Sequence, residues 1–173
     1  MTRVACPRVR RYTAKMNQRR DIEPTLLCDG RIAYGVVWDL GVTVFGPFRW
    51  TPSIAKQYAD ECIALTESAS VLGGRGGLTY LMGDPPGAGE RRVIVDALHA
   101  RGVDVAGQRT VIVTDSAMVR GAATALAWLT GGQTFTYATR ELDAAARWTA
   151  FGDVGLGERV AAHARRGLEM VRS

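Results

Sequence analysis

Residues 108–132 read QRTVIVTDSAMVRGAATALAWLTGG, a β-branched run that turns directly into an apolar segment. Thr110 to Thr114 are all β-branched and alternate little. A strand that must shed water from both sides of its pleat has this composition, so a central strand is predicted here. Asp115 or Ser116 can then cap a helix by accepting a backbone N–H, and Gly131-Gly132 can end it, because glycine takes the left-handed conformation at no steric cost. Within that helix Met118, Ala122, Leu126 and Leu129 fall on one stripe at helical spacing. The opposite stripe, Gly121, Thr124 and Trp128, is only weakly polar. Such a helix either lies deep in the domain or offers its second face to a partner or another subunit. A terminal helix over residues 158–171 is the internal alternative for covering that face.

Composition limits what this unit can serve. A chain of 173 residues suits one domain able to bury a core of its own. Its 47% hydrophobic and 23% charged fractions are those of an ordinary water-soluble protein. No apolar run has the length of a membrane span, and no apolar stretch follows the first positive charges, which predicts neither anchor nor secretory signal. A cytoplasmic location is the default expectation. Cys6, Cys28 and Cys62 are far apart and form no CxxC, so they read as reduced structural thiols and not as a disulfide framework or zinc site. His99 and His163 are the only histidines, leaving little material for histidine catalysis. No catalytic residue, cofactor or metal is expected.

The net charge of +5 is uneven. Residues 1–20 hold Arg3, Arg8, Arg10, Arg11, Lys15, Arg19 and Arg20 with no acid, and the rest of the chain has 15 basic against 17 acidic residues. The high pI therefore belongs to a basic arm, taken as residues 1–28, and the body is near neutral. Such an arm can hold nucleic acid or an anionic surface by charge attraction and counterion release. It can equally be a solvated tail, or an over-long start with the natural initiator at Met16.

Outward from the central stretch, Asp29-Gly30 marks a turn into a strand over 32–38, and Asp39-Leu40-Gly41 a tight connection to a second strand over 42–48. Thr51-Pro52 starts a helix, with Thr51 as N-cap, and Ile54, Tyr58, Cys62, Leu65, Ala69 and Leu72 give its apolar stripe. The glycine run 73–77 reads as its terminator. It fails as a phosphate loop because it precedes a strand and no Lys-Ser or Lys-Thr closes it. A strand over 78–82, a stiff Pro85-Pro86 turn and a helix over 90–101 follow. After the central unit come a strand over 135–138, a helix over 140–151 and the terminal helix. The order β-β-α-β-α-β-α-β-α-α predicts an α/β mixed sheet, with a domain over 29–152 and a C-terminal helix over 153–173.

The opening hairpin DGRIAYGVVWDLGVTVFGPF, the turn LTYLMGDPPGAGERR, the segment VIVTDSAMVRGAATALAWL and the closing TFTYATRELDAAARWTAFG together resemble the STAS-like domains, the fold of anti-sigma-factor antagonists. This resemblance implies a bacterial signalling module that acts by protein–protein interaction. It also implies a phosphorylatable serine in the turn after the third strand, at a helix N-terminus. Here that turn, Asp84-Pro85-Pro86-Gly87-Ala88-Gly89, has no hydroxyl, so the usual switch is not expected; Ser116 stands at the equivalent turn one strand later.

Two functions compete with different residues. A non-enzymatic interaction or self-association module would use Gly121, Thr124 and Trp128. A small anionic ligand or nucleotide site would bring Asp84, Asp115 and Ser116 to one sheet edge, with Gly87 and Gly89 exposing helix N–H groups and Arg91, Arg92 and Arg120 supplying charge.

Overall fold

A computed structural model of the chain describes residues 21–68, 74–103, 108–130 and 133–172, and for 124–130 the helix backbone alone. Residues 1–20, the charged part of the arm, lie outside this description, as does Cys6. Among the described residues six strands form one mixed sheet in sequence order: β1 (Ile22–Leu27), β2 (Ile32–Val37), β3 (Leu40–Phe45), β4 (Gly76–Leu81), β5 (Arg109–Val113) and β6 (Thr134–Tyr137). β1, β2 and β3 are antiparallel neighbours, whereas β3 to β6 run parallel. The helices are α1 (Pro52–Ser68), α2 (Ala88–Ala100), α3 (Ala117–Thr130), α4 (Leu142–Thr149) and α5 (Val154–Arg172).

This order explains the layering. Each crossover from β3 to β6 advances one strand in the same direction, and right-handed crossovers of that kind put α1, α2 and α3 on one face. There Phe45, Trp50, Ala55, Leu81 and Val119 join one apolar cluster, with Val93 and Ile94 of α2 against it. After β6 the chain returns across the other face, where α4 and α5 pack on Val42, Val44, Leu78, Val111 and Val113. Gly167 lets α5 lie flat on the hairpin: a Cβ there would stand 3.0 Å from Val44 Cγ2 and 3.2 Å from Ala33 Cβ. The predicted α/β mixed sheet is therefore present, with α5 built into its core.

Several sequence boundaries move, each for a local reason. Residues 22–27, read as the end of the arm, form the edge strand β1; Pro24 is tolerated because an edge strand has one unpaired side, and the register breaks between Ile22 and Thr25. The hairpin turn is Trp38-Asp39, one residue early, and Trp38 adopts φ 64° while its N–H donates to Asp21 Oδ1 at 2.9 Å. Gly76 and Gly77, read as part of the helix terminator, are the start of β4. A Cβ at Gly77 would lie 2.5 Å from the Gly41 carbonyl oxygen opposite, so only glycine permits this pairing. α5 starts at Val154, four residues before the predicted start, because Asp153 Oδ1 accepts the Leu156 N–H at 2.9 Å and caps a turn containing two glycines. Thr51 caps α1 as predicted, accepting the Ile54 N–H at 3.2 Å.

The phase of α3 is the largest correction. Met118, placed on the inward stripe by spacing, is 77% exposed, and Ala122 is exposed with it; Val119 and Ala123 point into the core. Ser116 Oγ accepts the Val119 N–H at 3.3 Å, and this cap fixes which side of the first turn meets the sheet.

Candidate functional site

The parallel strands end level at one sheet edge, with Phe45 opposite Leu81 and Val113 opposite both Tyr80 and Tyr137. The loops leaving that edge carry Asp84 after β4, Thr114 to Ser116 after β5 and Thr139 after β6. They enclose a cleft of about 390 Å³, and Arg172 at the end of α5 reaches it from the other face. Carboxyl ends of parallel strands are where α/β sheets present loops to ligands, so this edge is the natural place for function.

Asp84, Asp115 and Ser116 are brought together as predicted. Asp115 is held: its Oδ1 accepts the Thr139 N–H at 3.1 Å and its Oδ2 the Thr139 hydroxyl at 2.6 Å. Those two bonds, helped by Arg120 and Arg140, keep its carboxyl below the usual carboxylate range. Ser116 is occupied as the cap of α3, and its own N–H donates to Thr114 Oγ1 at 3.3 Å. Asp115 thus supports the turn after β6, and Ser116 the first turn of α3.

Of the predicted cations, only Arg120 acts on Asp115. Arg91 donates to the Pro86 carbonyl at 2.6 Å, bracing the proline turn. Arg92 pairs with Asp96 one turn on, at 3.6 Å on open surface. Arg120 folds back to the Thr114 carbonyl at 2.8 Å. Gly87 is the N-cap residue of α2 and Gly89 is exposed, but Glu90 brings a carboxylate oxygen to 2.6 Å from where a Gly87 Cβ would sit. The α2 terminus therefore already faces an anion of its own.

Beside the cleft, the outer side of α3 presents Ala117, Met118, Gly121 and Ala122, all exposed. Among the described residues nothing lies within 4 Å of a Cβ built at Gly121. The side chains of Thr124 and Trp128 lie outside the described residues. The terminal helix does not cover this face, because α5 packs over β1, β2 and β3 on the opposite side of the sheet.

One constellation escaped sequence reasoning. At the amino edge of the parallel strands the Arg109 guanidinium lies 4.1 Å from the ring centres of both Trp148 and Phe151, and Arg75 lies 4.7 Å from that of Phe151. Phe135 packs on Trp148 at 3.9 Å. Trp148 reads in sequence as one more apolar position of a helix; only the sheet register brings Arg109 under it. The thiols are poor nucleophiles: burial, then the nearby Glu61 carboxylate, pushes Cys28 up to about 12, and burial pushes Cys62 up to about 11. Among the described residues no group of three His, Cys, Asp or Glu side chains stands close enough to hold a metal ion, and no helix is long and apolar enough to cross a membrane.

Comparison with protein-family models, curated proteins and solved structures finds no match for this chain.

Proposed function

We propose that the chain is a non-enzymatic interaction module of the STAS-like type, cytoplasmic, which docks a protein partner or a second copy of itself through the outer face of α3. The observation that carries this reading is Met118, 77% exposed among exposed Ala117, Gly121 and Ala122. Singly exposed apolar side chains are ordinary, but here four uncharged residues share one exposed face, and Arg120 of the same turns donates to the Thr114 carbonyl. Small residues beside a flexible methionine suit a helix that approaches another surface closely.

The STAS-like part of the reading is supported by the opening antiparallel strands followed by parallel strands in sequence order. Control by serine phosphorylation at the turn after β4 is not part of it, since that turn has no hydroxyl. Ser116, one strand later, already spends its oxygen on the Val119 N–H.

The test is Met118→Lys, read by size-exclusion chromatography with light scattering. Met118 packs on little, so its replacement leaves stability within about 0.5 kcal/mol of the wild type while the assembly disperses. Unchanged assembly in a folded variant would remove this face from consideration.

A further inference from the structure

A second feature lies at the opposite end of the sheet and is independent of the α3 face. Gly41 of β3 and Gly77 of β4 are cross-strand neighbours. Neither carries a side chain onto the face that α1 covers, so the sheet has a bare floor there. α1 bridges the gap with Tyr58, Cys62 and Thr66, the hairpin supplies Tyr34 and Thr43, and Leu98 and Val103 close the side near α2. A pocket of about 170 Å³, open to solvent on one side, remains. That is close to the roughly 150 Å³ that admits a benzene ring in an engineered core.

The lining differs from a dry core in carrying hydroxyls and a thiol. The Cys62 thiol, the Tyr34 and Tyr58 hydroxyls and the Thr43 hydroxyl all face this pocket. The Thr66 hydroxyl donates to the Cys62 and Ile63 carbonyls at 2.8 and 3.1 Å, leaving its oxygen free to accept. These groups can donate or accept, because each O–H or S–H rotates to suit its partner. None is charged: burial pushes both tyrosines and the cysteine upward, so all stay protonated at neutral pH. The ion pair at the rim, Asp39 with Arg75, is internally neutral. An ionised ligand would shed part of its hydration there among uncharged hydroxyls and a thiol, at a cost in free energy. A neutral one with a single polar group would lose nothing of that kind.

We propose that this cavity is a binding site for a small uncharged molecule of phenol size, a flat ring or short chain bearing one hydroxyl or carbonyl, with its polar group on Tyr34, Tyr58 and Thr43. Thr43, 6% exposed, and Tyr34, 8% exposed, place those atoms deep enough for a hydrogen bond to count.

The experiment uses the full-length protein with phenol as the probe, benzoate as its charged counterpart, and two variants. Cys62→Phe fills the cavity from the helix side, and Thr43→Val removes one hydroxyl at constant shape. Phenol is expected to shift the Tyr34 and Tyr58 ring resonances saturably and to raise Tm with concentration, whereas benzoate does neither. In Thr43→Val the phenol affinity should fall about 3- to 10-fold, as for the loss of one buried hydrogen bond. In Cys62→Phe the effect should vanish. No saturable shift in the wild type, an equal response to benzoate, or full phenol affinity in Thr43→Val would overturn the proposal. Thr43→Val keeps the test decisive if Cys62→Phe fails to fold.

Discussion

Replacing Arg75 with methionine should cost far more than its half-exposed position suggests. Its guanidinium gives Asp39 two hydrogen bonds, Nε to Oδ2 at 2.5 Å and Nη2 to Oδ1 at 3.1 Å. The Asp39 side chain is 3% exposed and that of Arg75 is 43%. Breaking a fully buried pair costs roughly 3–5 kcal/mol, because the surviving charge loses its principal counter-ion. Arg75 is close to half in solvent, which screens the attraction, so about 2 kcal/mol is the appropriate figure. Loss of its stacking on Phe151 adds about 0.5 kcal/mol at an exposed site. For a chain of this length each kcal/mol moves Tm by about 2–4 °C, so Arg75→Met should melt about 5–10 °C below the wild type. Urea titration followed by circular dichroism gives the free energy directly. The double variant Asp39→Asn with Arg75→Met should regain at least about 1 kcal/mol over Arg75→Met, since a neutral amide needs no counter-ion. An Arg75→Met variant within about 0.5 kcal/mol of the wild type, or a double variant no better than the single, would refute the reasoning.

Glycines of the same composition should respond with opposite signs. Gly77→Ala, whose Cβ meets the Gly41 carbonyl at 2.5 Å, should lose about 1–3 kcal/mol. Gly121→Ala, in open space on the outer side of α3, should gain up to about 1 kcal/mol by calorimetry; the reverse order would mean that the β3–β4 register is wrong. His163 should make folding acid-sensitive. Burial, then the Arg166 guanidinium, holds its ring below the usual 6.5 against the opposing pull of Glu23 and Asp21, so the unfolded chain takes up its proton first. Stability present above about 6.5 is then lost as pH falls below it, and His163→Gln should flatten the urea midpoint between about pH 7 and pH 5; parallel profiles would argue against a neutral buried ring.

How far the residues declare this architecture varies with the kind of signal. The strand Arg109–Val113 and the turn into α3 are readable because β-branched composition and a capping serine are local properties. The rotation of α3 is not. Its helix is apolar nearly all round, with Arg120 the one charge, so spacing alone gives no reason to prefer Met118 or Val119 as the inward residue. β1 is hidden by Glu23, Pro24 and Thr25, a polar composition that an edge strand accepts. Gly76 and Gly77 read as breakers, although their partner Gly41 stands in the sequence as well; the clue lies in a cross-strand pairing of residues 36 apart. The same distance hides Asp39 from Arg75. Asp84, Asp115 and Ser116 were legible as one cleft because strand ends share an edge, but the arginines were not, since side-chain direction depends on carbonyls such as Pro86 and Thr114 that the sequence leaves unplaced.

The docking role of α3 is tested most directly by native mass spectrometry of the full-length protein, purified gently from its own cells beside Gly121→Arg. Among the described residues nothing lies within 4 Å of a Cβ built at Gly121, so a side chain there starts into open space on the face that would dock. Docking through α3 requires an oligomer or protein complex for the wild type and a folded monomer for the variant. A wild-type monomer, or a complex that Gly121→Arg retains intact, would contradict it.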